Sequence, residues 1–134
     1  MTAGEAGASV LLVDDDPGAL ETLRDILETR RFRVATAASG EAAVAMARAR
    51  PYDAVLMDIV MPGLGGVDAL RAIKAHEPRT PVIMMTAFTR DDLVADARRA
   101  AAVAVLAKPL EMDRLLALLE RVTAGGAPPR EEPR

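Results

Sequence analysis

One alternation dominates the chain. Five short apolar runs, "SVLLV", "FRVATA", "YDAVLMD", "VIMMT" and "VAVLAK", are separated by longer stretches whose apolar residues recur every three or four positions. Short runs bounded by turn residues read as strands, and the longer stretches read as amphipathic helices. Three of the runs are continuously apolar, as strands covered on both faces should be. Strand–helix alternation of this kind builds a parallel sheet with helices on both sides. The expected fold class is therefore α/β, a doubly wound five-stranded parallel sheet. A chain of 134 residues that is 51% hydrophobic is long enough to bury one such core. Its only aromatic residues are Phe32, Tyr52 and Phe88, so that core must be aliphatic and rich in Met.

Local signals place the helices. Asp16 ahead of Pro17 is an N-cap followed by proline at the first helical position, and Leu20, Leu23, Ile26 and Leu27 form the buried stripe. Ser39 caps a second helix that Pro51 stops, and Val67, Leu70 and Ile73 mark a third. Thr89 with Asp92 reads as a capping box for the fourth, whose Asp91–Asp92 pair suits the positive end of the helix dipole. Met112, Leu115, Leu116, Leu119 and Val122 give the fifth a continuous apolar stripe. The expected organisation is a flexible N-terminus (1–7), one domain (8–123) and a Gly/Pro-rich tail or linker (124–134).

In a parallel α/β sheet the functional crevice lies beyond the carboxyl ends of the strands, where strand order reverses. Strand one ends in Asp14 and Asp15, strand three in Asp58, strand four in Thr86 and strand five in Lys108. The flavodoxin-like order 2-1-3-4-5 brings all of these into one crevice. Three clustered carboxylates repel one another unless a cation sits among them. With no Cys in the chain and only oxygen donors at hand, that cation is expected to be Mg²⁺ or Mn²⁺. Lys108 and Thr86 are donors, which suit a phosphoryl group. A nucleophilic carboxylate, a metal, a fixed ammonium and a hydroxyl together make a phosphoryl-transfer site. Asp16 reads as a cap alone, and His76 as a solvated residue at a helix end.

The same composition excludes other classes. Without Cys there is no disulfide or thiolate metal site. A formal net charge of −3 offers no footprint for direct nucleic-acid binding. No run is long enough to span a membrane, and "MTAGEAGAS" lacks the features of a signal peptide, so a cytoplasmic protein is expected.

From about Ser9 to Val122 the sequence resembles the receiver domains of bacterial two-component response regulators, through "LLVDDDP", "LMDIVMPGLGG", "VIMMTAF" and "LAKP" in order. The resemblance implies that Asp58 accepts a phosphoryl group from a phosphohistidine on a sensor histidine kinase or phosphotransfer protein. It implies further that Asp15 binds Mg²⁺ directly, Asp14 through water, and Val60 by its backbone carbonyl. Thr86 and Lys108 would contact the phosphoryl oxygens, and the Lys108–Pro109 bond would be cis. The face of helix 4, strand 5 and helix 5 commonly carries dimer or partner contacts in the family, which makes a homodimer there one expectation. Four positions depart from or tune the family pattern. Val105 replaces the usual aromatic, which puts an aromatic rotamer readout in question. Val60 and Phe88 flank the phosphate with apolar side chains that cannot hold an attacking water, implying a long-lived phosphoryl group. Ala101–Ala102 stands where Gly-Ala is usual before strand five, which asks for an ordinary backbone there.

The expected function is thus a phosphorylation switch, read first as a receiver without its own output domain. The alternative is the N-terminal receiver of a longer response regulator. An Asp-nucleophile phosphatase would want a second Asp where Val60 stands. A flavodoxin-like cofactor binder would want a Gly/Ser/Thr-rich first loop in place of "DDDPG".

Overall fold

The computed structural model describes residues 7–87 and 91–124. Along them β1 (Ser9–Val13), α1 (Pro17–Thr29), β2 (Arg33–Ala37), α2 (Gly40–Ala49) and β3 (Ala54–Asp58) are followed by α3 (Gly66–His76), β4 (Val82–Thr86), α4 (Asp91–Arg99), β5 (Ala104–Ala107) and α5 (Met112–Thr123). The strands form one parallel sheet in the order β2-β1-β3-β4-β5. Register keeps the carboxyl ends level: Val13 pairs with Ala37 and Met57, Asp58 with Met85, and Thr86 with Ala107.

Alternate residues of each strand feed two separate cores, as the two-residue repeat of a strand demands. Leu11, Val13, Val55, Met57, Val82 and Met84 meet Val44, Leu70 and Ile73 on the side of α2 and α3. Val10, Leu12, Leu56, Ile83, Met85 and Leu106 meet Leu23 and Leu27 of α1 and Leu115 and Leu119 of α5. Asp14, Asp58 and Lys108 each come two residues after a member of this second set. The alternation that buries Leu12, Leu56 and Leu106 therefore sends the three charged side chains to one side of the sheet.

The N-caps follow the sequence. Asp16 accepts a hydrogen bond from Gly18 N–H at 3.0 Å, and Ser39 Oγ accepts one from Ala42 N–H at 3.1 Å. The fourth helix begins at Asp91, while Thr89 of the expected capping box lies outside the described residues.

The C-caps bring two corrections. Ala101 has φ +74°, so the turn before β5 is not the ordinary backbone that its alanines suggest. Ala101 N–H donates to the Arg98 carbonyl and Ala102 N–H to the Ala97 carbonyl, the crossed pair that closes a helix through a left-handed residue. Arg31 (φ +73°) closes α1 in the same way, with Phe32 N–H reaching the Leu27 carbonyl. Phe32 thus belongs to the end of α1, packed against its apolar stripe, and β2 starts one residue later than its sequence suggests.

At the amino ends of the strands, Asp53 ties β3 to β1. Its N–H donates to the Ser9 carbonyl (2.9 Å) and its Oδ2 accepts from Ser9 N–H (2.8 Å). Nearby, Lys74 Nζ donates to the carbonyls of Pro78 (2.8 Å) and Thr80 (3.0 Å), pinning the turn between α3 and β4. Among the described residues no helix is long and apolar enough to cross a membrane.

Candidate phosphorylation site

The site is built from two copies of one turn. Asp14 follows β1 and Asp58 ends β3, on adjacent strands. Asp14 Oδ1 accepts from Asp16 N–H (3.0 Å), and Asp58 Oδ1 accepts from Val60 N–H (3.1 Å). In each case one carboxylate oxygen folds back on the N–H two residues on and holds its loop. The other oxygen of each faces Lys108, whose Nζ donates to Asp14 Oδ2 at 2.8 Å and to Asp58 Oδ2 at 2.9 Å. Both carboxylates are buried, Asp14 at 1% exposure and Asp58 at 8%. Asp15 is exposed, and carboxylate oxygens of all three acids lie within 4.8 Å of one another.

Lys108 reaches this position from the end of β5. Its N–H donates to the Thr86 carbonyl (2.8 Å), extending the strand pairing by one residue, and the Lys108–Pro109 bond is cis. Burial pushes the Lys108 ammonium toward a lower pKa. Its hydrogen bonds to Asp14 and Asp58, with the attraction of their charges, more than reverse that, and the pKa ends above its ordinary value. The lysine therefore stays charged. Three carboxylates against one ammonium leave a formal −2, the deficit that a divalent cation fills. Oxygen donors without nitrogen or sulfur select a hard ion of the Mg²⁺ type, so the residues present fit such a metal.

Of the other residues singled out in the sequence, Thr86 ends β4, buried, beside β5. Val60 is 42% exposed next to Asp58, unusual for a residue of its kind. Val105 is half-buried against the α2–α3 core, and Pro109 is exposed. Phe88 lies outside the described residues. The site opens on a hollow of about 400 Å³ between the start of α1 and the β5–α5 loop, lined by Asp14, Asp16, Gly18, Lys108, Pro109 and Met112 among others.

Two features escape a reading of the sequence. Lys108, expected to contact phosphoryl oxygens, here bridges Asp14 and Asp58, a pairing its sequence position does not announce. The segment after Asp58 is also pinned more closely than "MPGLGG" suggests. Gly66 N–H donates to the Ile59 carbonyl (2.8 Å), and a Cβ on Gly66 would stand 2.2 Å from the Asp58 carbonyl oxygen. Glycine is required there because the first turn of α3 rests on the backbone of the strand end itself.

Comparison with known proteins agrees with this geometry. Residues 10–120 match the family model of the response regulator receiver domain. The transcriptional regulatory protein ZraR of Salmonella typhimurium is 38% identical over 115 residues, which is 86% of this chain and 26% of that protein. The chain thus spans about a quarter of that relative's length. Among solved structures, the receiver domain of the sensor histidine kinase PA1611 from Pseudomonas aeruginosa PAO1, with a magnesium ion coordinated in its active-site cleft, superimposes with a TM-score of 0.80 at 34% identity. The match covers 89% of this chain and 99% of that one. The chemotaxis protein CheY4 of Vibrio cholerae gives a TM-score of 0.80 at 30% identity, over 87% and 98% of the two chains. The chain belongs to the family of response regulator receiver domains.

Proposed function

We propose that Asp58 is the phosphoacceptor of a two-component signalling switch, taking a phosphoryl group from a phosphohistidine of a sensor histidine kinase or phosphotransfer protein. The observation that carries this reading is the Lys108 ammonium bridging Asp14 and Asp58 with Asp15 alongside. In the transfer a carboxylate oxygen of Asp58 attacks phosphorus, the P–N bond breaks, and the imidazole nitrogen leaves with the electron pair. The chain's part is positioning and charge. Val60 N–H holds the acceptor carboxylate in place, and Lys108, already charged, follows negative charge from the carboxylate to the phosphoryl oxygens. Thr86 donates its hydroxyl to the same oxygens. Asp14, Asp15, Asp58 and the Val60 carbonyl would hold Mg²⁺, which when bound neutralises charge on the transferring group.

Asp15 is exposed and the neighbouring hollow is open, so a partner's side chain can approach from that face. Residues 8–123 form the signalling domain in this reading, and a helix 4–strand 5–helix 5 homodimer is its dimer form. The length of relatives such as ZraR favours a receiver within a longer regulator over one without an output domain. Any contact with nucleic acid then belongs to that output domain. The exposed Val60 supports a long-lived phosphoryl group, because an apolar side chain beside Asp58 does not hold water.

Incubating the chain with Mg²⁺ and acetyl phosphate, then weighing it, tests the reading. One phosphoryl adduct is expected, lost in Asp58→Asn and without Mg²⁺. No adduct, or an adduct that survives Asp58→Asn, overturns it, and sustained turnover of the donor favours a phosphatase. Spontaneous loss of the adduct should speed up in Val60→Asn/Phe88→Glu, and an unchanged rate removes the role given to these two side chains.

A further inference from the structure

The loop that carries the proposed metal-binding carbonyl is gripped by a helix from elsewhere in the chain. Glu41 is the second residue of α2, and its helix has no need of it as a cap, since Ser39 already accepts from Ala42 N–H. The Glu41 carboxylate reaches across to accept from Leu64 N–H at 3.1 Å, 23 residues away. The other side of Leu64 meets the same helix turn: a Cβ on Gly40 would lie 2.3 Å from the Leu64 carbonyl oxygen. Gly63, with φ +74°, passes so close that its own Cβ would stand 2.9 Å from Glu41 Oε2. Gly66 N–H closes the neck of the loop on the Ile59 carbonyl. Residues 59–66 are thus held at the neck by α3 and at the outer edge by α2, and Val60 lies between the two holds.

We infer that Glu41 is a positioning residue for the phosphorylation site. By fixing Leu64 it fixes the loop, and with it the backbone of Val60 beside Asp58. This rests on the reading of the Val60 carbonyl as a metal ligand. A carboxylate accepting a backbone N–H is a charge-assisted bond. Placed in the first turn of α2, its charge also sits where the helix dipole favours it. Glu41 never touches the acceptor or the metal, so its removal should weaken metal binding without ending it.

The test is a Mg²⁺ titration of the full chain and of Glu41→Ala and Glu41→Gln, followed by the backbone amide signals of Asp15 and Val60, with hydrogen exchange at Leu64 N–H. Glu41 is exposed, so both variants should fold, and thermal melting checks this. In Glu41→Ala, Leu64 N–H should exchange faster and the Mg²⁺ dissociation constant should rise roughly three- to tenfold, at or below the lower end of outer-shell effects on metal sites. Glu41→Gln keeps an acceptor oxygen and should recover most of the affinity. An unchanged dissociation constant in Glu41→Ala, or an equal loss in both variants, overturns the inference. The phosphoacceptor reading fails separately, when the unaltered chain binds Mg²⁺ at these amides yet forms no Asp58-dependent adduct. If those amides ignore Mg²⁺ in the unaltered chain, the inference falls.

Discussion

Two half-buried lysines stand at opposite ends of the sheet and are held in opposite ways. Lys74, near the amino ends of the strands, points its ammonium at the carbonyls of Pro78 and Thr80. Burial lowers its pKa, and Glu77 only partly offsets that. Lys108, at the carboxyl ends, faces two carboxylates, and their hydrogen bonds and charge raise its pKa in spite of burial. The carbonyls facing Lys74 never change their charge, and that lysine braces a turn. On the reading proposed above, the carboxylates facing Lys108 change partners when a metal or phosphoryl group arrives. In that reading the same residue type is a fastener at one end and a moving part at the other, and the difference lies in what it faces.

Replacing each lysine breaks the comparison open. Lys108→Met leaves Asp14 and Asp58 side by side without their counter-ion. It should cost about 2–3 kcal/mol in urea unfolding with EDTA present, below the usual value for a broken buried pair because Lys108 is partly exposed. Added Mg²⁺ should restore part of the loss, and phosphoryl adduct formation should fall. Lys74→Met removes two hydrogen bonds to carbonyls and should cost about 1–2 kcal/mol, independent of Mg²⁺ and without effect on phosphorylation. If both variants lose the same stability and both ignore Mg²⁺, the two ends do not differ as described.

Ala101→Gly serves as a ruler between them. It relieves a left-handed alanine and should add about 1 kcal/mol, equal with and without Mg²⁺, measured by the same urea titration.

The smallest effects concern alkaline pH. Below 10.5 the Lys108 contribution is fully present. Between 10.5 and its raised folded pKa the unfolded chain has released a proton that the native chain keeps, so stability falls as pH rises. For Lys74 the folded pKa lies below 10.5, so between that pKa and 10.5 the unfolded chain binds more protons and stability rises with pH. Urea midpoints followed through this range should lose the fall in Lys108→Met and the rise in Lys74→Met.

Much of the fold could be read from the residues, because its cause is repetitive. Continuous apolar runs such as "VIMMT" need cover on both faces, and the polar residues closing them have one common place to meet. Asp14, Asp15, Asp58 and Lys108 were readable for that reason, and Asp16 and Ser39 because caps act locally. What escaped depends on contacts between distant segments. Nothing in "SGEAAV" points to Leu64, since the link between Glu41 and that N–H exists only after α2 and α3 have packed. The sequence shows only that Glu41 has no cation at the next turn, where Val44 and Ala45 stand. The left-handed Ala101 escaped for a simpler reason. Alanine carries no sign of such a conformation, and only the crossed hydrogen bonds at the end of α4 require it.

The direction of α5 has a consequence for wiring. The helix starts just past Pro109, beside the charged cluster, and ends with Val122 and Thr123 lining the same hollow as Asp53 and Pro81, at the strands' amino ends. A helix of 12 residues spans about 18 Å. The helix therefore delivers the chain, at Ala124, to the pole remote from Asp58, like the far end of a mast. On the reading proposed above, a change at Asp58 would reach that pole along the flanks of the helix.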